Sequence, residues 1–153
     1  MDVLEISIRL LAAVVLGSAV GINRDLHRKP AGLRTLAVVA LGAAGFTLAA
    51  LIFGEEGDDP AAVSRAIQGI AAGVGFLGAG VIIRDAPEGT VHGLTTAASL
   101  WATTGIGIGC ALGQWRVVVP TFALIIAILV LGGWIEKTIE ARFKRREGDN
   151  DTR

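Results

Sequence analysis

The residues in this chain able to do chemistry are few, and most are hydroxylic or basic. Thr95, Thr96, Ser99, Thr103 and Thr104 cluster in one segment, with Thr96, Ser99 and Thr103 at i, i+3 and i+7 spacing, one face of a helix. Hydroxyls so placed either bond across to a neighbouring helix, at about 0.6 kcal/mol each in membrane bundles, or line a polar path through it. Both readings are open at this level. Arg9, Arg65 and Gln68 lie within or at the edge of apolar stretches, where a charged group must snorkel or find a partner. Trp101 sits deep among the hydroxyls; its indole N–H needs an acceptor, and packing is favoured over ligand contact.

Several familiar chemistries are excluded. Gly73-Val74-Gly75-Phe76-Leu77-Gly78 satisfies G-x-G-x-x-G, but it lies inside an apolar helix, without the preceding strand a dinucleotide fingerprint requires. Magnesium and calcium sites want six or more oxygens, usually including several carboxylates; the apolar stretches hold no Asp or Glu except Glu5. The run Glu55, Glu56, Asp58 and Asp59 lacks the ligand spacing of a calcium loop and reads as a solvated acidic turn. His27 and His92 fall in loops and Cys110 is alone, so no nucleophile–base pair is in sight. The expectation is no enzyme, no cofactor and no metal site.

The elements that must hold these side chains are apolar and long. Residues 35–53, 66–83, 93–113 and 117–135 are uncharged or nearly so, and 3–22 is apolar except for Glu5 and Arg9. Each approaches the ~20 residues needed to cross ~30 Å of hydrocarbon. None shows the period-2 alternation of a barrel strand, so the fold class expected is all-α, an integral membrane bundle of five transmembrane helices. If the five alternate in direction, eleven of the 14 Lys and Arg residues share one side and Arg9, Arg65 and Arg116 the other. The positive-inside rule then puts the N-terminus outside and the C-terminus in the cytoplasm. Asp2 and Glu5 stand where a signal peptide would be basic, so the first stretch is expected to be a retained helix. Residues 1–135 make one membrane domain and 136–153 a charged, flexible cytoplasmic tail. The net charge of zero conceals this segregation of signs.

Prolines and glycines punctuate the same pattern. Asp59 can cap the third helix with Pro60 at its first position, and Pro120 lies in the first turn of the fifth. Glycine numbers 21, much of it four residues apart: Gly17/Gly21, Gly69/Gly73 and Gly105/Gly109/Gly113. Small residues at that spacing let helix backbones approach closely in lipid. Packing within the bundle is the first expectation for them and for Gly75, Gly78 and Gly80, with a homodimer as the second.

Four ordered segments together resemble a known family. They are Gly21-Ile22-Asn23-Arg24-Asp25; Lys29-Pro30-Ala31-Gly32-Leu33-Arg34-Thr35; Gly75-Phe76-Leu77-Gly78-Ala79-Gly80-Val81-Ile82; and Gly89-Thr90-Val91-His92-Gly93-Leu94-Thr95-Thr96-Ala97-Ala98-Ser99-Leu100-Trp101. The chain from about residue 5 to 135 is similar to the MgtC/SapB family of bacterial inner-membrane proteins. That pattern carries Glu where Asn23 stands and Arg where His92 stands.

The resemblance implies five helices and a cytoplasmic C-terminus. It also implies a link to growth in low magnesium or acid stress and, in pathogens, to survival in macrophages. Its best-known member is a regulator that binds and restrains the F-type ATP synthase. Longer members add a cytoplasmic C-terminal domain, and this chain is expected to be a short form without it. Carried over by position, the motif residues are Arg24, Lys29, Gly32, Arg34 and Thr35 at the first cytoplasmic loop, Arg65 and Gln68 in the third helix, and Thr95, Thr96 and Trp101 in the fourth. Arg24, Arg34 and Arg84 are expected at the cytoplasmic face, available to phosphate head groups, a partner or Asp85. The functional expectation is a small membrane regulator acting by helix–helix contact. The competing reading is an oligomeric transport module with the hydroxyls along its path.

Overall fold

The computed structural model describes residues 1–57, 59, 61–84 and 91–150, the side chains of 83–84 and 135–150 excepted. The helices are α1 (Val3–Leu26), α2 (Leu33–Glu56), α3 (Ala62–Arg84), α4 (Leu94–Ala111) and α5 (Trp115–Asn150), with no strand among the described residues. Four of them, over Val3–Leu26, Leu33–Glu56, Ala62–Ile82 and Trp115–Trp134, are long and apolar enough to cross a membrane. The expectation of five transmembrane helices is therefore met in part, with five helices of which four are long and apolar enough to span, and α4 is the exception. It has 18 residues, nine of them buried, including four with hydroxyls. At 1.5 Å per residue it reaches about 27 Å. Enclosed by other helices on much of its surface, α4 tolerates a composition a lipid-facing helix would not.

Local chemistry sets the helix ends. Asp2 caps α1, its carboxylate accepting from the Glu5 N–H at 2.7 Å. The N-terminus of α2 is capped from outside itself: Gly32 has no side chain, and the Asp25 carboxylate at the end of α1 accepts from the Leu33 N–H at 2.9 Å. Asp59 accepts from the Ala61 N–H at 3.1 Å through its side chain and from the Ala62 N–H at 3.1 Å through its carbonyl. It thus caps α3, which begins at Ala62 rather than at position 60. α5 begins at Trp115, two residues earlier than the apolar run suggested, so Pro120 is its sixth residue and lies inside the helix. There the missing N–H removes a bond to the Arg116 carbonyl. The helix also runs past the apolar stretch, through charged residues, to Asn150.

The core belongs to α1, α2 and α4. Ala13 and Val20 from α1 meet Leu36, Ala40, Ala44 and Leu48 from α2 and Leu100, Ile106, Cys110 and Ala111 from α4, whereas among the described side chains α3 and α5 each add one buried apolar residue, Val74 and Val118. Ala40 is the meeting point. A Cβ on Gly17 would lie 2.7 Å from the Ala40 side chain, and one on Gly107 would lie 2.3 Å from the Ala40 carbonyl oxygen. Three backbones can converge there only because two of them lack a side chain.

The α1–α2 connection is strained. Arg28 and Ala31 have φ of 52° and 58°, a left-handed conformation costing an L-residue roughly 1–2 kcal/mol. Ala31→Gly should therefore raise stability by about 0.5–1 kcal/mol, read as the midpoint of thermal unfolding in detergent. A lowered midpoint would show that the Ala31 methyl contributes more by packing than its backbone costs.

Candidate functional site

The most connected polar side chain among the described residues is Arg24. The last turn of α1 buries it to 2% exposure, and among the described residues its charge meets no carboxylate. Its guanidinium is spent on neutral oxygens. Nε and Nη2 donate to the Pro30 carbonyl at 3.1 and 3.0 Å, Nη1 donates to Ser99 Oγ at 3.1 Å, and Nη2 also donates to Thr96 Oγ1. The planar fork of arginine suits such divergent acceptors where a lysine would not. Arg24 thus ties α1 to the first loop and to the start of α4. It is not displayed at the surface, as its loop-edge position suggested, and it is unavailable to head groups.

Arg9 makes the matching contact at the far end. Its guanidinium pairs with Glu5 at 2.5 Å and donates to the Ala111 carbonyl at 2.5 Å, in the last turn of α4. A cation at a helix C-terminus is favourable. Next to it, Gly113 turns the chain with φ +64°, and a Cβ there would lie 3.1 Å from the Arg9 guanidinium. Arg9 and Arg24 are 15 residues apart, and so are their partners Ala111 and Thr96. The two helices therefore run antiparallel in matched register, clasped about 22 Å apart. Arg9→Gln should cost about 1–2 kcal/mol by loss of one clasp, measured by denaturant unfolding; an unchanged midpoint would mean that Glu5 and the Ala111 carbonyl are equally well served by water.

Between the clasps runs the hydroxyl face. Thr96, Ser99, Thr103 and Thr104 are all 4% exposed or less. Ser99 donates to the Thr95 carbonyl at 2.7 Å, Thr104 to the Leu100 carbonyl at 2.9 Å, and Thr47 of α2 to the Ala43 carbonyl at 2.7 Å. Thr103 Oγ1 is buried without a hydrogen-bond partner. On this face Thr96 and Ser99 are taken by Arg24 of α1, while Thr104 bonds within its own helix.

Other motif positions lie elsewhere. Thr95 is exposed, as are Lys29, Arg34 and Thr35. Arg65 is exposed and pairs with Asp59, holding that carboxyl below its ordinary range. The pair's small contribution, screened by solvent, is present above the ordinary carboxylate pKa and lost as pH falls through the lowered one. Gln68 is exposed, its amide donating to Ser64 Oγ at 3.5 Å. Trp101 is 64% exposed on the outer side of α4, so the packing expected of it within the chain is absent. The Arg84 side chain and Asp85 lie outside the described residues.

The glycines divide sharply. A Cβ on Gly69, Gly73, Gly75, Gly80 or Gly105 would meet nothing within 4 Å, contrary to the expectation that they pack inside the bundle. A Cβ on Gly78 would lie an ordinary 3.4 Å from the Ala97 side chain, and one on Gly109 would lie 2.6 Å from the Val118 side chain. Glycines in close contact, where an added Cβ would come nearer than 3.0 Å to a neighbour, are Gly17, Gly21, Gly32, Gly107 and, as expected for packing within the bundle, Gly109. A Cβ on Gly21 would strike the Leu33 Cα at 2.4 Å, and one on Gly32 the Asp25 carboxylate at 1.6 Å. Gly107 was not among the four-residue repeats, yet it continues the hydroxyl face at i+4 from Thr103. That face was the signal that could have found it.

Proteins of similar sequence are known. The profile of the MgtC family matches residues 10–138. The chain is 43% identical over 136 residues to the protein SrpB of Synechococcus elongatus, covering 81% of this chain and 74% of that protein. It is 41% identical over 124 residues to the protein MgtC of Salmonella typhimurium, covering 81% of this chain and 51% of the relative. A protein of Haemophilus influenzae is 34% identical over 154 residues, 95% of this chain and 63% of its own length. The chain thus spans about half the length of the MgtC relative and about three quarters of SrpB. No solved structure matches it. With the family profile covering most of its length and relatives above 40% identity, the chain belongs to the MgtC family.

Proposed function

We propose that the protein is a small bacterial inner-membrane regulator of the MgtC type that acts by helix–helix contact with a larger membrane complex, in adaptation to low magnesium or acid stress. The observation that carries this reading is the outer face of α3 and α4. Gly69 and Gly73 on one helix and Gly105 on the other leave open space where close-packing glycines would be expected to meet a helix, and Phe76 and Trp101 flank them at 81% and 64% exposure. A partner helix could approach that surface to backbone contact. The F-type ATP synthase is the partner the family resemblance suggests, with a homodimer as the competing occupant. Virulence would follow only in a pathogenic host.

The proposed topology is five crossings with the N-terminus outside and the C-terminus in the cytoplasm. Antiparallel α1 and α4 support it, and so does the sign of the loop charges. A transport path along the α4 hydroxyls is the weaker reading, because Thr96 and Ser99 are occupied by Arg24 and closed off.

The test is a Gly69→Leu, Gly73→Leu, Gly105→Leu triple variant. It is expected to insert and fold as the parent does while losing its partners in membrane cross-linking. Recovery of the same partners at the same yield would overturn the contact mechanism.

A further inference from the structure

Arg28, Lys29 and Arg34 lie around the α1–α2 connection, where the one carboxylate, Asp25, is engaged in capping Leu33 and leaves the segment with a net positive charge. All three are exposed, and the ion pairs among the described residues involve Arg9 and Arg65 instead. The backbone beneath them is held at many points. The Arg28 and Lys29 N–H groups donate to the Asp25 and Arg24 carbonyls at 3.0 Å each, Arg24 grips the Pro30 carbonyl, and Asp25 caps Leu33. Two residues in the segment adopt left-handed φ. Such strain persists only where surrounding contacts impose it. The loop is therefore a fixed platform for its cations.

Its height in the membrane follows from its neighbours. Ile22, Leu26 and Leu33 are apolar and exposed, at 46%, 76% and 38%, and α2 enters its apolar stretch at Leu33. Lipid-facing apolar side chains thus lie within a turn of the cations on both helices. That places Arg28, Lys29 and Arg34 at the layer where lipid phosphates reside, and charge complementarity selects an anionic lipid over a zwitterionic one.

We propose that the α1–α2 loop is a binding site for an anionic phospholipid head group, with Arg28, Lys29 and Arg34 contacting the phosphate and Arg24 positioning the loop from beneath. This rests on the membrane reading of the chain and is independent of any protein partner. Each cation near an anionic surface strengthens attraction about fivefold.

The purified protein in detergent would be titrated with phosphatidylglycerol and with phosphatidylcholine, and the first bound lipid followed by native mass spectrometry. The wild type should prefer phosphatidylglycerol. Arg28→Gln, Lys29→Gln and Arg34→Gln should each weaken that preference roughly fivefold, and the triple variant roughly a hundredfold. Arg116→Gln, an exposed cation at the start of α5, should leave it unchanged. A triple variant that retains the wild-type preference, or an Arg116 variant that loses it equally, would overturn the proposal. Displacement of the lipid by millimolar inorganic phosphate would also overturn it, by assigning the patch to a soluble anion. Circular dichroism of each variant checks that α1 and α2 persist, so that a misfolded variant is not read as loss of a site.

Discussion

Gly107→Ala and Gly21→Ala should unfold readily, while Gly69→Ala and Gly73→Ala should be as stable as the parent or more so. The four substitutions are chemically identical and all lie inside helices, so propensity alone predicts a gain of up to about 1 kcal/mol for each. Packing reverses the sign at two of them. The new methyl at 107 would fall 2.3 Å from the Ala40 carbonyl oxygen, and that at 21 would fall 2.4 Å from the Leu33 Cα. Both obstacles are backbone, which cannot rotate away, and overpacking of this kind typically costs about 1–3 kcal/mol. At 69 and 73 the methyl meets nothing within 4 Å. Unfolding by SDS titration in mixed micelles, followed by circular dichroism, reads the difference. Equal midpoints for Gly107→Ala and Gly73→Ala would show that α2 and α4 do not approach each other at Ala40 as described.

Arg24→Leu is the second large effect. The substitution removes four donor contacts and takes the charged donor from the buried Thr96 and Ser99 hydroxyls and from the Pro30 carbonyl. Hydrogen bonds from a charged donor contribute about 1.5–3 kcal/mol each, and an orphaned buried acceptor costs about 1–3 kcal/mol. Because these groups act together, the expected loss is about 3–5 kcal/mol rather than their sum. Arg24→Lys should recover little, since one ammonium cannot reach the loop carbonyl and both hydroxyls in the same geometry. Arg34→Gln, at an exposed position in the first turn of α2, should change stability by less than about 0.5 kcal/mol. If Arg24→Leu and Arg34→Gln proved equally mild, Arg24 would be a surface topology determinant and the clasp would be absent.

How far these features were legible depends on what signal each one leaves in the chain. The i, i+3, i+7 spacing of Thr96, Ser99 and Thr103 placed them on one face, and that face is buried. Glu5 stands four residues from Arg9, and the two do pair. Arg24 was legible as an arginine at a loop edge but not as a buried one, because its acceptors lie 6, 72 and 75 residues away. The four-residue glycine repeats were visible without their destinations. Gly105 and Gly107 are two residues apart, yet one faces outward and the other meets the α2 backbone at Ala40.

By itself the sequence determined that the chain is helical, where the apolar helices run, and to which family they belong. Length without charge admits few alternatives in hydrocarbon, where every backbone group must bond within its own segment. Only the tertiary structure decided which side of each helix is inside. In water, the sorting of apolar from polar residues around a helix separates its two sides. In lipid both the interior and the exterior of a bundle are apolar, so Trp101 and Leu100 carry no label telling one from the other. What distinguishes them is shape and hydrogen-bond satisfaction: Gly17 and Gly107 face in because backbones meet at Ala40, and Arg24 faces in because three distant oxygens receive it.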